Sequence, residues 1–292
     1  MCGIVGYLGN QNAVDVILTG LSRLEYRGYD SAGICLKSDS GQLDSYRKTG
    51  KLENLKDHLK EINPYASLGI GHTRWATHGG VTETNAHPHY NERIAIVHNG
   101  IIENAGELKE ILSKEGHEFK SQTDTEVFLV LVTKYVQAGK DLLAAVREAF
   151  SQIRGNSAFV VISKEKNEMI AAKRVAPLVV GMNDHTNELF VSSDPYALVG
   201  YSDKLFFPED EVFCHLSLKD AEHLVHFYDI KGKESDKYLE RAQAISLEAT
   251  DKGEFEHFML KEIHEQPLLI RNWLDYYRQG EGQAKLSHFK GL

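Results

Sequence analysis

Stretches that favour helices stand together in the middle of this chain, with stretches that favour short strands on both sides of them. Apolar residues recur at helical spacing over about 107–115, 124–137 and 141–153. Strand patterns precede them at 3–8, 32–36, 68–71 and 94–97, and more follow between 158 and 228. One amphipathic helix, at about 14–24, interrupts the first group. Because strands and helices are grouped instead of alternating, the sequence predicts layered α+β architecture and disfavours a doubly wound sheet or a TIM barrel.

Composition limits the class of protein. With 292 residues, 42% of them hydrophobic, the chain can bury a sizeable core. A formal net charge of -9 argues against nucleic acid as the main partner. Since no apolar run approaches the length of a membrane span and the start lacks a signal-peptide pattern, we expect a soluble cytoplasmic protein without a membrane partner.

A change in composition predicts the domain organisation. The chain becomes charged and polar through residues 231–237, so we place a boundary near residue 240. Beyond it, apolar residues recur at helical spacing, and we expect Pro267 to end one helix and open the next. The predicted domains are residues 2–240 and residues 241–292, the second being a linker with the first helices of a domain that is not supplied.

Three cysteines lie far apart in the sequence. Cys2, Cys35 and Cys214 form no CxxC pair, which gives neither a disulfide framework nor a zinc site. Cys35 and Cys214 stand inside apolar runs, so we expect both in the core.

Cys2 becomes the first residue of the chain if the initiator Met1 is removed, as happens when the next side chain is small. Thiol and α-amine then share one residue, and the reference pKa of the amine, about 7.7–8.0, lets it accept the proton of the thiol near neutral pH. This arrangement is one of the base-activated nucleophiles. The alternative is that Cys2 merely begins an edge strand.

Four stretches resemble the N-terminal-nucleophile glutamine amidotransferases, and they are 2–6, 26–33, 72–79 and 98–104. The run from His72 to Gly79, His-Thr-Arg-Trp-Ala-Thr-His-Gly, and the step Thr123-Asp124-Thr125-Glu126 are similar to the glutaminase half of glutamine:fructose-6-phosphate aminotransferases. The stretch Lys261 to Pro267 resembles that family's entry into its sugar-isomerase half. The resemblance implies a four-layer αββα sandwich of the N-terminal-nucleophile hydrolase type.

The resemblance also implies a role in the reaction for several residues. Cys2 would attack the side-chain amide of glutamine and form a γ-glutamyl thioester, releasing ammonia. Asn99 and the backbone N–H of Gly100 match the family's donors to the tetrahedral oxyanion. Taken alone, the pair Asn99-Gly100 would be a turn signal.

Binding of free glutamine needs one cation and one anion held apart. Arg74 matches the family's clamp on the carboxylate, which a Lys cannot reproduce, and Asp124 matches the partner of the ammonium. The other matched positions are Thr77 and His78 as further substrate contacts, Trp75 as a mobile aromatic lid, and Arg27 near the nucleophile. Taken singly, Arg74, Asp124 and Arg27 would be surface residues and Trp75 a core residue.

The acceptor of the ammonia and the assembly follow only from the resemblance. Fructose 6-phosphate would be a partner through the absent isomerase half, so synthase activity is not expected of these residues alone, and a full-length enzyme would be a homodimer. The alternatives are an amidotransferase that feeds ammonia to another acceptor, as in purine or asparagine synthesis, and a non-catalytic module that senses glutamine.

Fourteen histidines suggest a metal site, with His72, His78, His87, His89 and His98 in one stretch. No HExxH motif or carboxylate cluster joins them, so we do not expect a metal. The pair Gly69 and Gly71 is too short for a dinucleotide fingerprint, and no GxxxxGK[ST] loop is present, so we expect no cofactor.

Overall fold

The computed structural model describes residues 2–76, 79–219, 222–242, 255 and 258–278. The chain divides into two compact units, Met1–Ser246 and Leu247–Leu292. The functional assignment of residues 2–240 and 241–292 stays a prediction.

The first unit contains helices and antiparallel strands. The helices are α1 (Ala13–Leu24), α2 (Leu52–Ile62), α3 (Ala105–Lys114), α4 (Thr125–Gln137) and α5 (Leu142–Gln152). The strands are β1 (Gly3–Leu8), β2 (Ser31–Lys37), β3 (Leu43–Thr49), β4 (Leu68–Arg74), β5 (His89–Tyr90), β6 (Ile94–Gly100), β7 (Ser157–Ser163), β8 (Glu168–Arg174), β9 (Val179–Asn183), β10 (Glu188–Ser192), β11 (Lys204–Pro208), β12 (Phe213–Lys219), β13 (Glu222–Tyr228) and β14 (Tyr238–Ala242).

The strands form two sheets. The first has eight strands in the order β14-β11-β9-β10-β1-β4-β2-β3, and the second has six in the order β13-β12-β8-β7-β6-β5. β1 and β4 are adjacent in the first sheet, with Gly3 opposite Thr73 and Ile4 opposite His72. In the second sheet β6 pairs with β7, so that Asn99 lies opposite Ala158.

Strand alternation explains how the sheets stack. On β1, Ile4 and Leu8 belong to a core cluster that also contains Val97 of the second sheet, whereas Val5 and Tyr7 pack with α1 and α2. Successive side chains of a strand point to opposite faces, so the first sheet has helices on one side and the second sheet on the other.

The second sheet is covered in the same way. On β6, Ala95 and Val97 face the first sheet, while Ile94 and Ile96 pack against residues of α3, α4 and α5. The layers are therefore helices, sheet, sheet and helices, and the predicted α+β sandwich is confirmed.

Several elements differ from the expectations. The strands β3, β5 and β14 and the helix α2 were not expected from the sequence. β3 is a mostly polar strand at the end of its sheet, so its apolar pattern is weak. In α2, however, Leu52, Leu55 and Leu59 are buried at helical spacing, a signal that was available in the sequence. Cys35 and Cys214 are fully buried, as expected.

The second unit corrects the expectation for Pro267. One helix, α6 (Phe258–Arg278), runs through Pro267. A proline in a helix lacks the N–H that would bond the carbonyl four residues earlier, but it does not have to end the helix. Among the described residues, no helix combines the length and the apolar character required to cross a membrane.

Candidate active site

Cys2 lies directly before β1, beside the end of β4. Its Sγ accepts a hydrogen bond from the backbone N–H of Trp75 at 3.2 Å, and lies 3.7 Å from the carbonyl oxygen of the same residue. Because β1 and β4 are hydrogen-bonded neighbours, the residue before β1 and the residue after β4 are brought together. The pairing of two strands thus places the thiol.

The environment of Cys2 affects its titration in two directions. Burial raises the pKa of the thiol, and the N–H of Trp75 acts against that increase. Burial also raises the pKa values of Cys35 and Cys214, which are fully buried, whereas Cys2 is part-exposed. Among the three cysteines, Cys2 is therefore the one that a reagent can reach.

Asn99 and Gly100 come from the end of β6, in the other sheet. The Asn99 side-chain amide donates from Nδ2 to the carbonyl oxygen of Cys2 at 3.0 Å. An asparagine amide carries two N–H hydrogens, so a second donor remains for another acceptor. Gly100 has φ +126°, and a Cβ there would lie 1.9 Å from the carbonyl oxygen of Asn156, so only glycine fits.

Asp124 precedes the first turn of α4. Its Oδ2 accepts a hydrogen bond of 2.7 Å from the backbone N–H of Ile102. This bond ties the start of α4 to the chain that follows β6. A carboxylate next to a helix N-terminus is favoured by the helix dipole, so an anionic group is held where an ammonium could meet it.

Arg74 is the last residue of β4, and its side chain is buried. Its Nη1 donates to the carbonyl oxygen of Gly80 at 3.3 Å. Asn85 donates to the same oxygen at 3.0 Å and to Oε1 of Gln122 at 3.0 Å. The guanidinium is therefore held by a loop that is itself bonded to the residue two positions before Asp124.

A small pocket connects these groups. Its lining residues are Cys2, Arg74, Trp75, His87, His98, Gly100, Thr123, Asp124 and Thr125. Its volume is about 30 Å³, too small for a glutamine molecule in this conformation. A groove of about 1160 Å³ lies elsewhere, between the β2–β3 turn and α4, but it contains no cysteine. The small pocket is the better candidate site because it contains Cys2, the predicted nucleophile.

Of the remaining predicted site residues, the structure describes the side chain of Trp75 only. Trp75 is 48% exposed, and its ring lies edge-on to Tyr29 at 5.4 Å, so it is not a core residue. Asp30 accepts a hydrogen bond from the N–H of Ala76, which fixes the chain beyond Trp75. Thr77, His78 and the side chain of Arg27 lie outside the described residues. Their predicted contacts stay predictions.

Four buried histidines form a cluster at the pocket, and two of them, His87 and His98, line it. The rings of His72 and His87 are 4.3 Å apart, and those of His87 and His89 are 4.9 Å apart. Thr125 Oγ1 lies 2.8 Å from His87 Nε2 and 2.9 Å from His98 Nδ1. Among the described residues, no group of histidines, cysteines and carboxylates is arranged to hold a metal ion.

Burial keeps these histidines neutral. It lowers the pKa values of His72 and His89 to about 3 and that of His98 to about 4, and it moves that of His87 well below its usual range. From the sequence, all four were weighed as metal ligands, and none was expected to contact Asn99. Strand alternation places His72 on the same face of β4 as Ile70, but it does not show that this face meets Asn99.

Known proteins resemble this chain in sequence and in fold. A protein family described as "Glutamine amidotransferase domain" matches residues 72–200. Glutamine–fructose-6-phosphate aminotransferase of Thermus thermophilus is 45% identical over 98% of this chain and 46% of its own length. The enzyme of the same name from Fusobacterium nucleatum is 44% identical over the same shares. The chain spans about half the length of these relatives.

A solved structure extends the comparison to the fold. The glutamine phosphoribosylpyrophosphate amidotransferase of Bacillus subtilis superimposes with a TM-score of 0.66 at 26% identity, over 77% of this chain and 48% of its own. A class-II glutamine aminotransferase domain protein from Silicibacter pomeroyi superimposes with a TM-score of 0.51 over 84% of this chain and all of its own, at 15% identity. The second likeness concerns the fold alone.

These findings define a class II glutamine amidotransferase domain with the N-terminal-nucleophile fold. More narrowly, the chain belongs to the glutamine amidotransferase domains of glutamine–fructose-6-phosphate aminotransferases. The predicted resemblance is confirmed.

Proposed function

We propose that this chain hydrolyses L-glutamine to glutamate and ammonia, with Cys2 as nucleophile. The observation that carries the proposal is that the side chain of Asn99, from the second sheet, donates a hydrogen bond of 3.0 Å to the backbone of Cys2, which lines the pocket beside the first sheet. Asn99 is therefore close enough to the nucleophile to meet a charge that develops on the attacked carbon's oxygen.

The reaction has two steps. Cys2 thiolate attacks the amide carbon, the oxygen gains negative charge, and collapse of this intermediate releases ammonia and leaves a γ-glutamyl thioester. Water then attacks the thioester, releasing glutamate and restoring the thiol. One side-chain N–H of Asn99 and the backbone N–H of Gly100 are the proposed donors to the oxyanion, since these two residues are consecutive at the end of β6.

Proton transfer falls to the α-amine of Cys2 once Met1 is removed. Burial raises the pKa of the thiol, so a base is needed to generate the thiolate near neutral pH. No distant partner is required, because amine and thiol belong to one residue. A retained Met1 would displace the amine and remove this base.

Selectivity for free glutamine is assigned to Arg74 and Asp124. Both line the pocket that contains Cys2, and they carry opposite charges. Arg74 would bind the α-carboxylate and Asp124 the α-ammonium, with Thr77, His78 and Arg27 as further contacts. Trp75, half-exposed beside Cys2, would cover the bound substrate. The pocket has to widen for glutamine to enter, and the exposed Trp75 is the group best placed to move.

The proposed acceptor in the whole protein is fructose 6-phosphate. This rests on the name that the relatives at 45% and 44% identity carry, whereas the phosphoribosylpyrophosphate enzyme is 26% identical. A homodimer of the full-length enzyme, which the family resemblance implies, and the cytoplasmic location expected from the sequence stay part of the proposal. We do not expect residues 1–292 alone to make an amino sugar.

The test uses the 292-residue chain with removal of Met1 checked by mass spectrometry. Glutamate, ammonia and amino sugar are measured together, with and without fructose 6-phosphate. We expect glutamate and ammonia in equal amounts, no amino sugar, and a rate that the sugar phosphate does not change. Cys2→Ser should abolish the reaction.

Two results would contradict the proposal. Glutamine binding without glutamate release, seen by calorimetry, would favour a non-catalytic sensing module. Amino sugar from the pure chain would place an acceptor site within these residues and overturn the predicted domain division.

A further inference from the structure

His72 and Asn99 stand at the ends of two facing rows of side chains between the sheets. On β4 the row facing the second sheet includes Leu68 and Ile70, and on β6 the facing row includes Val97. Because alternate residues of a strand share a face, His72 and Asn99 continue these rows. Both side chains are buried where the apolar rows end.

The contact between them is short and has a second acceptor beside it. Nε2 of His72 lies 3.0 Å from Oδ1 of Asn99 and 3.1 Å from the backbone carbonyl oxygen of His98. On the other side, Nδ2 of Asn99 lies 3.0 Å from the backbone carbonyl oxygen of Cys2. The amide of Asn99 is thus held between an imidazole and the nucleophile residue.

Two backbone carbonyls decide which atom donates and which accepts in each of these hydrogen bonds. A carbonyl oxygen can only accept, so His98 requires an N–H at Nε2 of His72, and Cys2 requires an N–H from Asn99. A reversed amide would place Oδ1 of Asn99 against the Cys2 carbonyl and its NH₂ group against the N–H of His72. In the observed orientation, the Asn99 amide hydrogen-bonds both His72 and the Cys2 carbonyl oxygen. In the reversed orientation, it hydrogen-bonds neither of them.

His72 supplies this hydrogen bond as a neutral group. Burial lowers the pKa of its ring to about 3, so the ring carries one proton near neutral pH. That proton is on Nε2, and within the part of the chain that the structure describes Nδ1 has no hydrogen-bond partner. The donor is fixed in position without adding a positive charge beside the thiol.

We propose that His72 is a positioning residue that acts through Asn99, aiming the Asn99 amide N–H groups at the Cys2 side of the pocket where the oxyanion forms. This deepens the proposed glutaminase function and depends on it. A donor that is already oriented needs no rearrangement as charge develops, which is the condition for effective electrostatic stabilisation.

The first test is kinetic. We expect His72→Leu to lower kcat by about 10-fold or more, a part of the about 10²–10³-fold loss that follows removal of one oxyanion donor. KM should change little, because the oxyanion appears only after binding. His72→Gln should recover part of kcat, because its amide has two N–H hydrogens for the two oxygen acceptors.

The second test is a double-mutant cycle. If His72 acts through Asn99, His72→Leu has no further effect on kcat once Asn99→Ala is present. His89 is the matched control, since it is buried in the same cluster but bonds Thr123 Oγ1 instead of Asn99. Any effect of His89→Leu should be the same fold-change with Asn99 intact or removed. Equal losses from His72→Leu in both backgrounds would overturn the proposal.

A third measurement needs no variant. In ¹⁵N-labelled protein, the ring nitrogen shifts of His72 report which nitrogen carries the proton. We expect protonated Nε2 and unprotonated Nδ1 between pH 5.5 and 7.5. The opposite tautomer, or a doubly protonated ring, would overturn the proposal even if the variants failed to fold. Absence of glutaminase activity in the parent chain would instead refute the proposed function.

Discussion

The backbone N–H of Trp75 points at the sulfur of Cys2 across 3.2 Å. The donor belongs to the residue after β4 and the acceptor to the residue before β1, which are neighbours in the sheet. A backbone N–H stabilises a thiolate more than a thiol, and it opposes the effect of burial on the pKa of Cys2. Cys2, the proposed nucleophile, is therefore positioned by strand pairing and supported by a donor that no side-chain substitution removes.

We expect an electrophilic glutamine analogue to label Cys2 and neither of the other cysteines. Cys35 and Cys214 are fully buried, and burial raises the pKa of both thiols. Peptide mapping after labelling identifies the residue. As a control, a general alkylating reagent in denaturant should modify all three, and label on Cys35 or Cys214 in the folded protein would refute the assignment.

Removal of the Asn99 amide should affect the chemical step. We expect Asn99→Ala to reduce kcat by about 10²–10³-fold, equivalent to roughly 2.7–4 kcal/mol. KM for glutamine should stay within a few-fold, because the oxyanion forms only after binding. Steady-state kinetics gives both constants. A variant with unchanged kcat and raised KM would mean that Asn99 holds the substrate in its ground state.

Changes to the charged pair should produce the opposite pattern. We expect Arg74→Lys and Asp124→Asn to raise KM for glutamine more than they lower kcat. Both residues are assigned to the charged groups on the α-carbon of glutamine, which are remote from the side-chain amide. A lysine cannot reproduce the two-pronged geometry of arginine. Glutamine analogues that lack the α-carboxylate or the α-ammonium give the matching test. Arg74→Lys should discriminate less than the parent against the analogue without the carboxylate, and Asp124→Asn less against the analogue without the ammonium.

Glycine at position 100 should be indispensable for packing. We expect Gly100→Ala to destabilise the fold by about 2 kcal/mol or more, because φ is +126° and the new Cβ would meet the Asn156 carbonyl at 1.9 Å. Gly106 is the matched control: it lies in α3, and a Cβ there meets nothing within 4 Å. Gly106→Ala should stabilise by about 0.5–1 kcal/mol. Urea unfolding of both variants measures the difference, and equal stabilities would contradict the steric argument.

The buried histidines should make the fold sensitive to mild acid. In the unfolded chain a histidine has a pKa of about 6.5, whereas burial lowers the values of His72 and His89 to about 3. Below about pH 6.5 the unfolded state therefore binds protons that the folded state does not. As the pH falls from the unfolded-state pKa towards the folded-state pKa, each such histidine lowers the free energy of unfolding by about 1.4 kcal/mol per pH unit.

Urea unfolding between pH 7.5 and 5 measures this dependence. His89→Gln should flatten it by the contribution of one proton, because the substituted side chain does not titrate. His185 provides the control, since its side chain is 92% exposed. His185→Gln should leave the slope as it is, and the same slope for the parent and His89→Gln would contradict the prediction.

Local patterns were enough to identify most elements of this fold. Apolar periodicity located α1, α3, α4 and α5, and glycine-bounded apolar runs located β1, β4 and β6. These features depend on residues near one another in the chain, so they can be inferred without tertiary contacts. Cys2, Arg74, Asn99 and Asp124 were likewise found by motif, and the structure brings them to one region.

Strands with weak apolar patterns could not be found in this way. β14 has mostly exposed residues, and its state depends on pairing with β11, a strand more than thirty residues earlier. In α6 the expected break at Pro267 did not occur, because the lost hydrogen bond is a local cost that neighbouring turns can outweigh.

The sequence by itself indicated Cys2 as the candidate nucleophile, and it determined most element types and the grouping of strands and helices, because these depend on residue identity and short-range spacing. Only the tertiary structure decided which sheet covers which face. Alternation assigns His72 and Asn99 to a face of their strands, but it does not say that those faces meet. That meeting, at 3.0 Å between His72 Nε2 and Asn99 Oδ1, depends on the stacking of two sheets, since a hydrogen bond requires placement to within a few tenths of an ångström.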